Sequence, residues 1–407
     1  MSISMGLSAL IIFLLQGENL LSLPQAMALG VSSYPLMAVP FFILAGNIMN
    51  GVGLTARIFN FCRALVGHLP GGLAQVIVVA EMILSGITGT AVGDCAGLGT
   101  VAVPMMSKAG YRKPFSAAVC ISAGTLGPII PPSLMMVIYA VEANVSVAKL
   151  FIGGIVPGGL MGICIMLYIY YVVKTGKESC PPLKRATFIE ILKAFKGGFF
   201  GVAAPGVIVI AFITGAVTPT EAGVIATFYS VVVGVLYGDF KLRELPKMLE
   251  DSFVLTALIM FIIATATAMG HIMTMEQIPL KLSRFMLSLT TNKFILLFVI
   301  NVFLLFLGSI LEGMPILIIM TPILVPLVQS VGVDLIHFGV VMSFAIVLGI
   351  MTPPMAIGIF ILVGITGCSF EEISRSTVKF LIPLIIALFI VTYVPVITLF
   401  LPNLLIK

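Results

Sequence analysis

The chain has 407 residues, 60% of them hydrophobic and 9% charged, with a mean hydropathy of +1.23. Water-soluble domains carry about one-quarter charged residues, so a soluble globular protein is excluded. Apolar runs of about 18 residues or more recur along the whole length and make this a polytopic membrane protein. The net charge of +5 gathers in loops, which fits topology signals rather than nucleic-acid binding.

The alternating pattern of a membrane barrel is absent, so the spans are helices, in which every backbone polar group finds a partner within its own segment. The start lacks a basic n-region, and no cleavable signal peptide is expected. Cys62, Cys95, Cys120, Cys164, Cys180 and Cys368 form no C-x-x-C pair and sit mostly in apolar runs. They read as small core residues, not a disulfide or zinc framework. Trp is absent, so an interfacial belt falls to Tyr.

Residues 3–16 are apolar but short for a crossing, which takes about 20 residues. A loop with Gly17, Glu18 and Pro24 follows, then a span over 35–49. Residues 53–68 carry apolar positions at helical spacing with Arg57 and Arg63, the pattern of an amphipathic helix on the membrane surface. A nominal dinucleotide fingerprint starting at Gly51 has no strand before it and is discarded. From Pro70 to Ser107 the chain enters the bilayer and is interrupted around Gly86–Thr90. Arg57, Arg63, Lys108, Arg112 and Lys113 flank this unit and put both its ends in the cytoplasm. It is therefore a re-entrant hairpin, with its tip near the midplane.

Residues 114–142 form a helix broken at Gly127-Pro128 and Pro131-Pro132, because paired prolines cannot continue it. Ser133 is placed to cap the half that follows. A plain span at 150–173 leads to the longest basic loop, 174–196, which is expected in the cytoplasm. Spans at 198–216 and 219–237 and a cytoplasmic return at 238–251 come next. The second half has a span at 252–273, a surface helix at 277–291, a hairpin at 293–330 broken around 308–315, and a broken helix at 334–365. A mixed-charge loop at 366–379 and a span at 380–402 complete the chain.

The two halves repeat. Gly86, Pro104, Gly110 and Pro131 correspond to Gly308, Pro326, Gly332 and Pro353, and 308−86, 326−104, 332−110 and 353−131 all equal 222. Gly46-Asn47-Ile48-Met49 also resembles Gly270-His271-Ile272-Met273, at offset 224. This is an internal duplication. Counting crossings from the basic loop puts the second hairpin's ends on the opposite side of the membrane, so the repeats are inverted. Broken helices at matching places in two membrane repeats point to a transporter's binding site.

Half-helices that meet at mid-membrane offer N–H groups to anions and bare carbonyls to small cations. Ser and Thr hydroxyls beside Gly suit sodium, and the candidates are Thr88, Thr90, Thr125, Ser133, Ser309 and Thr352. A lone hydroxyl in an apolar run is ordinarily bonded back to its own helix. Clustering at two matched breaks reverses that balance. Acids inside apolar runs are costly unless paired or protonated: Asp94 lies six residues past Thr88 in the first hairpin's second arm and Glu312 at the second hairpin's break, with Glu81 and Glu221 also deep. No Lys or Arg falls inside the hairpins' apolar arms, so an anionic cargo would be met by helix N-termini, hydroxyls and bound sodium. His68, His271 and His337 are too dispersed for a metal site and are expected at surface ends.

These residues resemble a known family. Thr88-Gly89-Thr90-Ala91-Val92-Gly93-Asp94 is similar to the Ser-Gly-Ser-x-x-Ala-Asp hairpin motif of the large membrane subunit of tripartite ATP-independent periplasmic (TRAP) transporters. Pro40–Gly46, Gly67-His68-Leu69-Pro70-Gly71-Gly72, Ile130-Pro131-Pro132-Ser133, Thr218-Pro219-Thr220-Glu221-Ala222 and Thr352-Pro353-Pro354 also match, in order along essentially the whole chain. The resemblance implies an all-α ion-transporter fold with a mobile transport domain (70–149 and 293–365) and a scaffold (1–69, 150–292 and 366–407). It implies a sodium-driven elevator in the bacterial inner membrane. Its cargo would be a C4-dicarboxylate, a sialic acid or a related carboxylate, delivered by a periplasmic binding protein, and a small four-helix membrane subunit would complete the permease.

By the same resemblance Thr88, Gly89, Thr90, Asp94 and Gly127 form one sodium set, and Gly308, Ser309, Glu312, Thr352 and Pro353 the other. Thr125, Pro131, Pro132 and Ser133 are assigned to substrate. The family commonly has Asp where Glu312 stands and Ser where Thr88 and Thr90 stand. Its N-terminal helical region begins before Met1, which implies a misassigned start or a missing first scaffold helix. The alternative within the class is a carboxylate/ion antiporter of similar fold that needs no binding protein. An intramembrane enzyme is disfavoured because H-E-x-x-H and G-x-G-D patterns are missing, and a primary pump because no G-x-x-x-x-G-K-[ST] occurs.

Overall fold

Apolar chain in lipid has no water to satisfy its peptide groups, and the helix is the solution open to a single segment. A computed structural model describes residues 2–17, 19–214, 217–290 and 292–406, without the side chains of 86–88, 283 and 287–289. Every regular element among them is helical. Among the described residues seven helices are long and apolar enough to cross a membrane, or eight if the bent pair near the N-terminus counts as one span.

The chain opens with α1 (Ser2–Gln16) and α2 (Ser22–Val31), followed by a 3₁₀ turn (Tyr34–Met37) and α3 (Ala38–Gly51). Helix α2 replaces most of the expected loop. Pro24 lies in its first turn, where a backbone N–H has no intrahelical partner to lose. Glu18, in the same expected loop, lies outside the described residues. The segment expected as a surface helix is the amphipathic α4 (Leu54–Val66), which buries Leu54, Ile58 and Cys62 on one stripe. The first hairpin is α5 (Gly72–Thr88) and α6 (Ala91–Lys108), and the first broken helix is α7 (Lys113–Gly124) and α8 (Leu134–Glu142). After α9 (Val147–Lys174) come α10 (Phe188–Ile213), α11 (Pro219–Tyr237), α12 (Leu245–Met275) and the second amphipathic helix, α13 (Ile278–Leu289). The second hairpin is α14 (Lys293–Ile310) and α15 (Gly313–Ser330), and the second broken helix is α16 (Leu335–Gly349) and α17 (Ile357–Thr366). The chain closes with α18 (Phe370–Tyr393) and α19 (Val396–Leu405).

Several boundaries differ from expectation for one reason. Thr187 with Glu190, Thr218 with Glu221 and Ser369 with Glu372 each form a reciprocal capping box, which starts a helix by satisfying orphan N–H groups. Helix α10 therefore begins at Phe188, and the basic loop shrinks to 175–187. Helix α18 begins inside the expected mixed-charge loop. Glu221, expected to be deep, is an exposed cap at the start of α11. Helix α12 likewise reaches back into the expected 238–251 return, with Pro246 in its first turn, and the final span divides before Pro395 into α18 and α19. His337, expected at a surface end, is 2% exposed. Its Nδ1 lies 2.8 Å from Thr398 Oγ1 and its Nε2 3.1 Å from Thr392 O.

The two halves interlock reciprocally. Helix α8 packs on α15 and α16, while α17 packs on α6 and α7. Each second half-helix thus lies against the other half's hairpin and first half-helix. At the first crossing the Tyr139 ring lies where Gly339 leaves room, and its hydroxyl donates to Leu335 O at 2.9 Å. Helices α9 and α18 pack against this assembly, and α1–α4 and α10–α12 pack largely among themselves beside it. Loop 175–187 is tied to the base of the first hairpin: Leu183 N donates to Gly67 O at 2.9 Å, and Arg112 pairs with Glu178.

Gly308 and Gly349 bring two backbones close together, where a Cβ on Gly349 would overlap the main chain of Gly308. Gly349→Ala is expected to lower stability by about 1–3 kcal/mol, the usual cost of overpacking. Gly159→Ala, on an open face of α9, is expected to shift it by less than about 0.5 kcal/mol. Thermal unfolding of the two variants in detergent checks this, and equal midpoints would contradict the contact.

Candidate functional site

At the first tip, α5 ends at Thr88, Gly89 turns with φ of 64°, and Thr90 is extended before α6 begins. That positive φ favours glycine. A Cβ on Gly89 would also meet Pro132 O and Leu134 N at 3.3 Å each, so the tip is seated on the start of α8. The Thr88 side chain lies outside the described residues. Asp94, in the first turn of α6, is 4% exposed and sits where the N-terminal end of the helix dipole favours a carboxylate. It faces the first break: a Cβ on Gly127 would collide with Asp94 Oδ2. Gly124, the last residue of α7, lies against Ala91 O and the backbone and sulfur of Cys95 in the same way. The structure therefore brings Asp94 and Gly127 together, while Gly89 is seated on the start of α8. Glu81, on α5, lies within hydrogen-bonding reach of Asp94.

In the first break Ser133 caps α8 as expected. Its Oγ accepts from Met136 N at 3.3 Å and donates to Pro128 O at 2.5 Å. Thr125 Oγ1 donates to Ser122 O at 2.6 Å. Thr125, Pro131, Pro132 and Ser133 are all buried.

At the second tip, Leu311 and Glu312 join α14 to α15. Gly308 lies against Ile346 O and Gly349, at the end of α16. Ser309 O accepts from Ala356 N at 3.1 Å, which ties the tip to the second break. Ser309 Oγ donates to Phe306 O at 2.7 Å and Thr352 Oγ1 to Leu348 O at 2.8 Å. Pro353 follows, half-buried, and Glu312 is the half-buried cap residue of α15. Hydroxyls that have given their proton to a carbonyl offer only lone pairs to a third group, as a hard cation requires.

A cavity of about 200 Å³ lies between the tips. Thr90, Ala91, Val92 and Gly93 at the start of α6 line it, with Glu312, Gly313 and Met314 at the start of α15 and Met135 at the start of α8. Three helix N-termini thus open on one space. Pro128, Val347 and Ile350 add an apolar surface, and Leu255 and Ile259 of α12 form the opposite wall; no Lys or Arg is among the lining residues. Thr125, Pro131, Pro132 and Ser133 lie behind the cavity rather than on it. Two further spaces, of about 150 and 360 Å³, share Thr90, Gly93, Leu255 and Asn50 with their neighbours. Together they make a cleft along α6, with α3 and α4 opposite.

Asn47 and Asn50 line this cleft, and the sequence reading did not single them out for function. Their signal was available, since two amides three residues apart in an apolar span need partners. Asn47 donates to Ser252 Oγ at 2.8 Å and Asn50 accepts from Thr55 Oγ1 at 2.6 Å.

Ser133→Ala would leave the Met136 N–H without its cap and the Pro128 carbonyl without its donor. A loss of about 1–2 kcal/mol is expected, read by thermal unfolding, with Ser133→Thr recovering part of it. No change in either variant would show that the cap contributes nothing.

The sequence matches the family model described as "Tripartite ATP-independent periplasmic transporter, DctM component" over residues 1–397. It is 37% identical over 402 residues to the C4-dicarboxylate TRAP transporter large permease protein of Pseudomonas aeruginosa, covering 98% of this chain and 94% of that one. To the sialic acid TRAP transporter large permease protein of Vibrio cholerae it is 35% identical over 381 residues, covering 93% and 89%. The fold is similar to the crystal structure of the Alcanivorax borkumensis YdaH transporter, described as having an unusual topology. The TM-score is 0.67 at 13% identity, with 90% of this chain and 86% of that chain covered. The chain belongs to the DctM family of TRAP transporter large permease proteins: it is a multi-pass membrane permease component, not an enzyme.

Proposed function

We propose that this protein is the translocating subunit of a sodium-coupled importer for a small organic acid in the bacterial inner membrane. It takes its cargo from a periplasmic binding protein and works beside a small four-helix membrane subunit. The observation that carries this reading is the convergence of the N-termini of α6, α8 and α15 on one cavity. Helix N-termini, with their positive dipole ends, suit a carboxylate. The similar proteins named for C4-dicarboxylate and sialic acid support that cargo class.

Sodium is favoured by the opposite ends of the broken helices. The carbonyl end of α7 meets the first tip beside Asp94 and Gly127, and the carbonyl end of α16 meets the second tip beside Gly308 and Ser309. Half-helix C-termini with acceptor-only hydroxyls are the expected setting for a small cation in a transporter. Thr88, Gly89 and Thr90 join the first set in this reading, and Glu312, Thr352 and Pro353 the second. With no fixed cation at the cavity, an acid would bind well only after sodium has brought its charge. An elevator motion is supported by the cleft along α6, which leads from the cavity toward the hairpin base. Cargo carried past the wall of α12 would leave through it. In this reading the two hairpins enter from opposite faces.

Two measurements test the proposal. In vesicles containing the complete transporter, replacing sodium by potassium is expected to abolish uptake, and Asp94→Ala to lower it by about tenfold or more with a weakened sodium dependence. Uptake that ignores both changes would refute sodium coupling at this site. Lys108→Cys is expected to react with a membrane-impermeant thiol reagent from the cytoplasmic side only, and Lys293→Cys from the periplasmic side only. Labelling of both from one side would rule out inverted hairpins.

A further inference from the structure

One corner of the molecule has no part in the site above. Lys293 opens α14, Asp334 caps α16 and Tyr393 closes α18, and all three line a pocket of about 270 Å³. Phe294, Leu297 and the buried His337 complete much of its wall. The Tyr393 hydroxyl donates to Phe294 O at 3.1 Å and ties α18 to α14. His337, through its contacts with Thr392 and Thr398, ties α16 to α18 and α19. Lysine and tyrosine at the ends of apolar helices mark the level where lipid headgroups meet hydrocarbon.

The pocket carries one charge of each sign. Lys293 and Asp334 are both exposed, and neither enters an ion pair among the described residues. The Lys293 ammonium lies 5.3 Å from the centre of the Phe294 ring. Asp334 Oδ1 accepts from Ile336 N at 2.8 Å and from His337 N at 3.0 Å, and its Oδ2 stays available to an outside donor. A shallow trough of about 490 Å³ continues from this pocket, since Pro395 and Leu399 line both. It follows α19, where Val396, Phe400 and Leu404 recur every fourth residue, each more than half exposed. They form one apolar strip about 12 Å long. Elsewhere α19 is covered: Thr398 O and Pro402 lie against Gly153 of α9.

We propose that this corner is a binding site for one phospholipid with a primary-amine headgroup, of which phosphatidylethanolamine is the simplest. Its phosphate pairs with Lys293, its ammonium donates to Asp334 Oδ2, and one acyl chain lies along Val396, Phe400 and Leu404. Charge complementarity selects this occupant. An anionic head without an amine would set its phosphate against the Asp334 carboxylate. A choline head has no N–H to give that carboxylate. A soluble phosphate ester would leave the apolar strip unused. Bound there, the lipid bridges α14, α16 and α19. The site involves neither sodium nor cargo, so the inference stands apart from the transport reading.

The test uses the purified full-length protein, delipidated and without sodium or cargo. It is offered equal amounts of phosphatidylethanolamine, phosphatidylglycerol and phosphatidylcholine with identical chains, and native mass spectrometry identifies the lipid retained. Wild type is expected to hold one phosphatidylethanolamine with a preference of about fivefold over each of the others. Asp334→Asn keeps an amide oxygen to cap α16 and is expected to erase the preference over phosphatidylglycerol. Lys293→Gln is expected to lower phosphatidylethanolamine retention by about fivefold, and Phe400→Asn to lower retention of lipids of every head. Both charge variants are expected to unfold at the wild-type temperature when no lipid is added, and added phosphatidylethanolamine to raise that temperature in wild type alone. Equal retention of the three lipids by wild type would overturn the proposal, as would a wild-type preference kept by either charge variant. Displacement of the lipid by an equal concentration of soluble phosphoethanolamine would also overturn it, by showing a site for the head alone.

Discussion

The architecture depends on how peptide groups released at the helix breaks are satisfied and seated away from water. A break inside lipid frees carbonyls and N–H groups that cost several kcal/mol each if left bare. Here the first tip presses Gly89 onto the start of α8, and the second presses Gly308 onto the end of α16. Ser133 and the Ser309–Ala356 bond take up some of the groups that the breaks expose. The N-terminal ends of α6, α8 and α15 face a common cavity.

Small residues make this seating possible. Gly127 is needed because Asp94 occupies the space a side chain would fill, and Gly349 because another backbone does. The reciprocal packing of α8 on the second half and α17 on the first then locks the two breaks together, and movement at one tip is felt at the other through close-packed side chains.

Much of this was legible in the sequence. The helix breaks at both hairpins and in both broken helices lie within a few residues of where their Gly and Pro residues put them, because those residues act locally on backbone geometry. The Ser133 cap was legible for the same reason. The starts of α10 and α18 and the exposure of Glu221 were also written there, in three S/T-x-x-E boxes, but an apolar run outweighed them in a reading dominated by hydropathy. His337 was hidden for a different reason: Thr392 and Thr398, which satisfy its ring, are distant in sequence. The far wall of the cavity was hidden too, since Leu255 and Ile259 look like any lipid-facing pair on a long helix. Only the fold puts Thr90 and Glu312 on one cavity, and only the fold sets Glu81 beside Asp94.

No Lys or Arg lines the cavity, and for the acid cargo proposed above that has a kinetic meaning. A full salt bridge in an apolar enclosure is slow to break, because each partner must be rehydrated alone. Helix ends hold an acid more loosely and leave nothing stranded when it goes. In the sodium-coupled reading proposed above, residence time becomes the adjustable quantity: an acid escorted by an ion would linger, and one abandoned by it would be released at once. In that reading, forgoing an arginine here would sacrifice grip for turnover.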